Sequence, residues 1–437
     1  MTRTRLVADR RGSFGVLTAL VLPVVILGVG IAVDYGLALD ASQKLKAASD
    51  AAVLGAIGEA QEAYIRQEKV DLQDLIREAG EEFFKANQAR MVSIRLQDVD
   101  VVPRVNKNEL SAELTYTASY STSLLKIFGY NEIPISSSSH AAVNVRSFVN
   151  INLLIDVSAS MGIGATSLDQ QKVASAVNCA FACHINSARG SSPYDTARAA
   201  GATMRIDVAR NAAISAVDVS KETAEFADQV TFGLYKFSNE LTTVVSHADA
   251  RASNYSYLKT ALRDEILLDM TNGGTNIGAA ISSLTTLLPK SGSGLRADDR
   301  IQYVIVLTDG VESGQAWTAA KNWFKHPSTK EIAPYKAYAT HEVNYALDPA
   351  TCDKAQKKDV DIFFIYTEYL EPIYGEFGDH DKQRFQFVTD TLFPLIPKRF
   401  ASCTADANNV IKVTTPAEIE QTFTRIVKGL SAPLRLY

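Results

Sequence analysis

Asp156, Ser158 and Ser160 stand at alternate positions at the end of a nearly continuous apolar run, Asn150 to Ile155. One carboxylate and two hydroxyls form a set of hard oxygen donors. Such a set suits Mg²⁺, which keeps several waters and takes few protein carboxylates, with Mn²⁺ as the alternative. Two later stretches add donors. Gly273-Gly274-Thr275-Asn276 offers a threonine hydroxyl on a glycine-bent loop, and a second apolar run, Ile301 to Leu307, ends in Thr308-Asp309-Gly310. The candidate metal ligands are therefore Asp156, Ser158, Ser160, Thr275 and Asp309. A Mg²⁺ held mainly by hydroxyls and waters keeps more net positive charge than one caged by carboxylates. That favours capture of a partner's acidic side chain at an open coordination position. The chain has no phosphate loop, no nucleophile elbow and no His-Glu-x-x-His. With no visible general base either, binding is expected rather than catalysis.

The elements that must position these residues are legible in the pattern. Both apolar runs read as buried central strands of a parallel sheet covered by helices on both faces. Ligand crevices in open α/β sheets lie at the carboxyl ends of such strands. Val230 to Phe237 is the next expected strand and Leu241 to Ser246 an antiparallel edge. Asp361 to Tyr366 and Val410 to Val413 supply the last strands. Helices are expected from Arg205 onward, over Tyr255 to Leu267, over Ile277 to Leu288 and over Pro416 to Leu430, with Pro416 near its start. The fold class is α/β, a doubly wound, mostly parallel sheet over 146–437, with residues 163–203 as an insertion.

The Asp-x-Ser-x-Ser at 156–160, the Thr275 loop and Asp309 after a later strand together resemble the metal-ion-dependent adhesion site of the von Willebrand factor type A family. The resemblance implies that Ser158, Ser160 and Thr275 coordinate the ion directly or nearly so. It implies that Asp156 and Asp309 hold coordinated waters, and that a partner's acidic side chain completes the shell. The alternative is plainer: two aspartates as turn residues and two serines as caps.

The rest of the chain sets the context. Its 437 residues suggest two or three domains, and 46% hydrophobic content is enough for a sizeable core. A net charge of −5 with mixed signs excludes the basic domain of a nucleic-acid binder. Arg3, Arg5, Arg10 and Arg11 precede an uncharged run from Gly12 to Val33. About twenty apolar residues span a bilayer, and Pro23 inside the run is tolerated there. The arginine excess predicts a cytoplasmic tail over 1–12, a transmembrane helix over 13–35 and export of the remainder. A cleaved signal peptide is the competing reading, and it also exports the chain.

From Asp40 to Arg90 the pattern stays helical, with Ala41, Leu45, Ala48 and Ala52 on one face. That face packs either on its own domain or on a partner. Over 91–148 the period switches to two. Val92 to Leu96, Leu110 to Tyr116 and Ala141 to Val145 read as strands, with Ser136 to Ser139 as a strand rim. Residues 36–145 are thus expected to form a pilin-like helix and small antiparallel sheet.

Arg11-Gly12-Ser13-Phe14 running into the apolar span, Asp34-Tyr35-Gly36, and the Ala-Ala-Ser-Asp-Ala-Ala core within Leu45 to Ala60 resemble the N-terminus of TadE/TadG-like proteins of tight-adherence (Flp) pilus assembly. The order of anchor, pilin-like segment and type A domain is that of the TadG-like members, and Leu434-Arg435-Leu436 resembles their ending. No glutamate follows Gly12 or Gly15 at the spacing of processed relatives, so no prepilin-type cleavage is expected. The resemblance implies a single-pass protein of the bacterial inner membrane, its bulk periplasmic, that binds a pilus or envelope protein. An envelope or surface adhesin for matrix or host ligands is the alternative.

Four cysteines in an exported chain favour disulfides. Cys352 and Cys403 each precede a strand of the parallel sheet and are expected to pair. Cys179 and Cys183, four apart in the insertion, are expected to pair with each other. Val311 to Tyr345 and Tyr369 to Phe387 are long, aromatic-bearing loops beside the metal candidates. Most of those rings are expected to pack the loops down, and one or two to meet a partner.

Overall fold

The computed structural model describes residues 12–89, 91–106, 109–178, 192–224, 228–270, 274–315, 342–367 and 388–431. Several expected features lie outside them: the arginine-rich start, Gly273, the Cys179 and Cys183 pair, the ending at Leu434, and the aromatic loops apart from Tyr345. The chain divides into two compact units, one ending at Val145 and the other beginning at Arg146.

The first unit is built on α1 (Gly12–Ile65), 54 residues long, or roughly 80 Å at 1.5 Å per residue. It is the one helix among the described residues long and apolar enough to cross a membrane. Phe14, Leu20 and Val24 are 79%, 69% and 68% exposed, as side chains facing lipid would be. Further along, Ala41, Leu45, Ala48, Ala52, Ala56 and Ala60 are buried. The small-residue face therefore packs on its own unit. It meets α2 (Leu72–Gln88) and the sheet, and a Cβ placed on Gly55 would sit 2.9 Å from the Phe83 ring. The helical pattern expected to run unbroken to Arg90 is interrupted over 66–71. Gln67 adopts φ +51°, and Asp71 restarts the helix by accepting the N–H groups of Gln73 and Asp74.

Strands β1 (Ile94–Asn106), β2 (Glu109–Ser121) and β3 (Glu132–Asn144) form an antiparallel sheet in that order. Two expectations need correction. Val92 lies outside β1 and is 99% exposed. Ser136 to Ser139 is not a rim but the middle of β3, with Ser139 opposite Leu114. The reason is polar pairing on the buried side: Ser139 donates to Asp50 Oδ1 at 2.6 Å and accepts from Lys46 Nζ at 2.8 Å. Along the run Ser139 is buried and Ser137 half-buried on this inner face, while Ser136 and Ser138 stand exposed on the other.

The second unit is a six-stranded sheet ordered β11-β10-β7-β4-β5-β6. Its strands are β4 (Val149–Asp156), β5 (Val230–Phe237), β6 (Leu241–Val245), β7 (Ile301–Thr308), β10 (Asp361–Thr367) and β11 (Val410–Val413). All pairings are parallel except β5 with β6. A separate hairpin pairs β8 (Glu312–Gln315) with β9 (Glu342–Tyr345).

Every residue of β4 is buried, which is why the run reads as continuous rather than alternating. Val149, Ile151, Leu153 and Ile155 join one core layer, with α5 (Arg205–Thr223), α6 (Tyr255–Glu265) and α10 (Pro416–Ser431). Leu154 joins the other, with α7 (Ile277–Leu287) and the short α8 (Asp353–Lys357) and α9 (Ile396–Ala401). Cys352 and Cys403 are disulfide-bonded on that second side.

The stretch expected as an insertion carries α3 (Ser167–Val177) and α4 (Pro193–Ala199). Its ends are pinched together. Gly164 bridges Met204, and Arg205 N–H donates to Ile163 O at 3.0 Å. The excursion thus returns α5 to the place a direct connection would give it.

Candidate metal site at the carboxyl edge of the sheet

The chain runs from β4 to β5 on one side and returns to β7 on the other, so β4 is the point at which strand order reverses. The carboxyl end of such a strand opens a crevice. Asp156 is the last residue of β4 and is fully buried. The ladder to Phe237 of β5 holds it inside the sheet. Its Oδ1 accepts the N–H of Ser158 at 2.9 Å, and its Oδ2 accepts the Thr308 hydroxyl at 2.7 Å. That second bond ties β4 to β7 across the crevice.

Asp309, also fully buried, repeats the arrangement one strand away. Its Oδ1 accepts the N–H of Val311 at 3.2 Å, while Oδ2 lies 3.8 Å from Arg205 Nη1. Gly310, at φ +86°, supplies the left-handed turn after it. Both aspartates thus use one oxygen for a turn and present the other to a neighbouring element. Ser158 precedes a 3₁₀ turn, Ala159–Gly162, yet makes no capping bond. Its Oγ stands 3.1 Å from Ser160 Oγ instead.

Thr275 reaches the same edge by backbone bonds. It exchanges N–H···O bonds of 2.8 and 2.9 Å with Ser313, four residues beyond Asp309. Asn276 N–H donates at 2.8 Å to the carbonyl of Ser238, the residue after β5. Gly274, at φ +82°, turns the loop there. The structure therefore places all five candidate residues at one edge of the sheet. Thr275 is buried and Ser160 half-buried.

Burial, and then the charge of Asp309, push Asp156 up to about 7. Two buried carboxylates at one edge call for positive charge. The Ser158 and Ser160 hydroxyls, hydrogen-bonded to each other at 3.1 Å, hold two hard oxygens side by side at that edge. Among the described residues no group of three or more His, Cys, Asp or Glu is placed to hold a metal. The donors here are thus hydroxyl-rich rather than a carboxylate or thiolate cage, and they fit a hard divalent cation.

Sequence reasoning missed four neighbours. Thr308 bridges to Asp156. Ser238 donates to Asp269 Oδ2 at 2.5 Å, and Asp269 N–H donates to the Val157 carbonyl at 2.6 Å. Arg205, at the start of α5, faces Asp309 and lines a small cleft with Thr367, Thr414 and Ile419. Ser238 carried a readable signal, a hydroxyl directly after an apolar run. Arg205 carried none.

Two stretches of the chain match known protein families. Residues 208–335 match the von Willebrand factor type A domain model, and residues 12–62 match the Flp pilus-assembly TadE/G-like model. No curated protein matches the chain. Among solved structures, it is similar to proximal thread matrix protein 1 of the mussel byssus with a zinc-occupied MIDAS motif, at 13% identity and TM-score 0.34. The match covers 65% of this chain and 48% of that one, so the chain spans about half the mussel protein's length. The PilB minor pilin of Streptococcus sanguinis is similar at 13% identity and TM-score 0.35, covering 77% and 78%. The pilus adhesin SpaC of Lactobacillus rhamnosus GG is similar at 13% and 0.35, covering 77% and 34%. The two domain matches together support a pilus-associated, membrane-anchored, adhesion-type protein. The chain is TadG-like in organisation: a TadE/G-like Flp pilus-assembly segment at its N-terminus, followed by a von Willebrand factor type A domain.

Proposed function

We propose that the chain is a membrane-anchored, periplasmic component of tight-adherence (Flp) pilus assembly that binds a protein partner through a Mg²⁺-dependent adhesion site. The observation that carries this reading is the union, in one chain, of a TadE/G-like segment and a hydroxyl-rich oxygen edge. Ser158, Ser160 and Thr275 would hold the ion, with Asp156 and Asp309 retaining its waters. The bound ion supplies a Lewis-acidic position for a partner's carboxylate. Thr308 orients Asp156, and Arg205 offsets the charge of Asp309. The site's work is capture and release of a protein, not turnover of a substrate, and the chain is not an enzyme.

Deleting the protein should remove surface pili, and restoring it with Asp309→Ala should not bring them back. An adhesin for matrix or host ligands predicts otherwise. Pili on the deletion strain would then be normal by electron microscopy, with only attachment reduced, and that result would defeat the assembly reading.

A further inference from the structure

The loop joining β2 to β3 carries a short 3₁₀ turn, Leu125–Phe128, closed by Gly129 at φ +89°. It is fastened to α1 at one residue. Asp34, fully buried, accepts three backbone N–H groups: Ser123 at 3.0 Å, Leu124 at 2.8 Å and Leu125 at 2.6 Å. A carboxylate so fully satisfied can stand at the edge of an apolar span. One turn earlier, Gly30 lets the loop approach closely, for a Cβ there would lie 3.3 Å from Leu124 Cβ. Gly30 belongs to the apolar stretch of α1, not to the part that packs against the sheet. Within 14–29 of that stretch Leu27 alone is shielded, and the other side chains stand open.

The loop therefore lies level with the last turns of the apolar stretch, and its tip gathers several apolar and aromatic side chains in one place. Ile127 is 70% exposed and Tyr130 67%, with Phe128 and Lys126 exposed beside them. Aliphatic, aromatic and lysine side chains side by side suit the bilayer interface. There rings sit at headgroup level and a lysine reaches outward to the phosphates. A watery surface gives these residues no reward, and the hydrogen bonds of Asp34 prevent the loop from swinging away.

We infer that the tip of the β2–β3 loop, Lys126 to Tyr130, is a second membrane contact of this protein, seated in the bilayer interface beside the anchor helix. The inference rests on reading Gly12 to Val33 as the membrane span. Its consequence is mechanical: two contacts fix the tilt of the first unit on the bilayer, where a single helix would let it turn.

The test uses the full chain in nanodiscs of phosphatidylethanolamine and phosphatidylglycerol, in a Cys179→Ser, Cys183→Ser background. Single Leu20→Cys, Ile127→Cys and Val92→Cys variants carry a nitroxide label. Residues 20 and 127 should both be more accessible to oxygen than to a water-soluble nickel chelate, and residue 92 the reverse. Lipid signature at 20 with water signature at 127 would overturn the inference while leaving the anchor intact. Water signature at both would overturn the membrane reading itself. A benzophenone amino acid at position 130 in intact cells should cross-link to lipid. Cross-linking to a protein instead would assign the tip to a partner and contradict the inference.

Discussion

Arg205 Nη1 stands 3.8 Å from Asp309 Oδ2, with the arginine 4% exposed and the aspartate fully buried. A guanidinium thus occupies the flank of the proposed metal site and offsets part of its negative charge. Arg205→Met removes that charge while filling similar space. In chelator it should destabilise the second unit by about 3–5 kcal/mol, the usual cost of stranding a buried charge. Saturating Mg²⁺ should recover part of that loss, and the affinity for Mg²⁺ should rise because a competing cation is gone. Thermal unfolding across a Mg²⁺ titration checks both; an unchanged midpoint in chelator would show that the pair carries no weight.

Asp156 and Thr275 are expected to behave differently on mutation, although both serve the same ion. Thr275→Ala keeps the backbone exchange with Ser313, so the fold should be unaffected while Mg²⁺-dependent partner binding is lost. Asp156→Ala also removes the acceptor for the Thr308 hydroxyl and the Ser158 N–H. It should cost roughly 1–3 kcal/mol for the stranded buried donors, partly offset by relief of repulsion with Asp309. Circular dichroism melts in chelator separate the two. Equal midpoints for both variants would contradict the bridging role of Asp156.

Glu312 gives the site a pH dependence separate from the ion. It is 2% exposed, and its Oε1 accepts Gly278 N–H at 2.6 Å at the start of α7. Burial outweighs the N–H donors and pushes its carboxyl from 4.5 up to about 8. A raised carboxyl means the folded state holds a proton that the unfolded chain gives up. That contribution is complete below pH 4.5 and is lost as pH rises through about 8. In chelator, urea unfolding should show wild type weakening across that window more steeply than Glu312→Gln, which keeps an acceptor but no charge. Identical slopes would refute the assignment.

The Cys352–Cys403 bond closes a loop with a sequence separation of 51. Cys352→Ala with Cys403→Ala should lower stability by about 3–4 kcal/mol through the freer unfolded chain. Unfolding free energies from denaturant curves, each fitted with its own slope because the freer unfolded chain exposes more surface, check this, and a loss below 1 kcal/mol, far under that estimate, would count against it.

How much of this could be read from sequence depends on whether a residue's role is set along the chain or across it. Asp156 and Asp309 announced themselves because each follows a run that only a buried parallel strand explains. The start of α5 at Arg205 was visible in its 3.6-residue period. The pairing of Arg205 with Asp309 was not, because it depends on which helix face turns toward which strand end. The same holds for Ser139, whose place inside β3 follows from Asp50 and Lys46 on a helix some ninety positions earlier. Asp34 stood out in the sequence only as part of the Asp34-Tyr35-Gly36 motif; the fold shows its carboxylate holding a loop.

Calorimetric titration of Mg²⁺ into the purified full chain tests the central claim most directly. Single-site binding by wild type is predicted, lost in Thr275→Ala and in Asp309→Ala with circular dichroism unchanged. Binding that survives both substitutions, or wild type that takes up neither Mg²⁺ nor Mn²⁺, would contradict a metal-dependent adhesion site at this edge of the sheet.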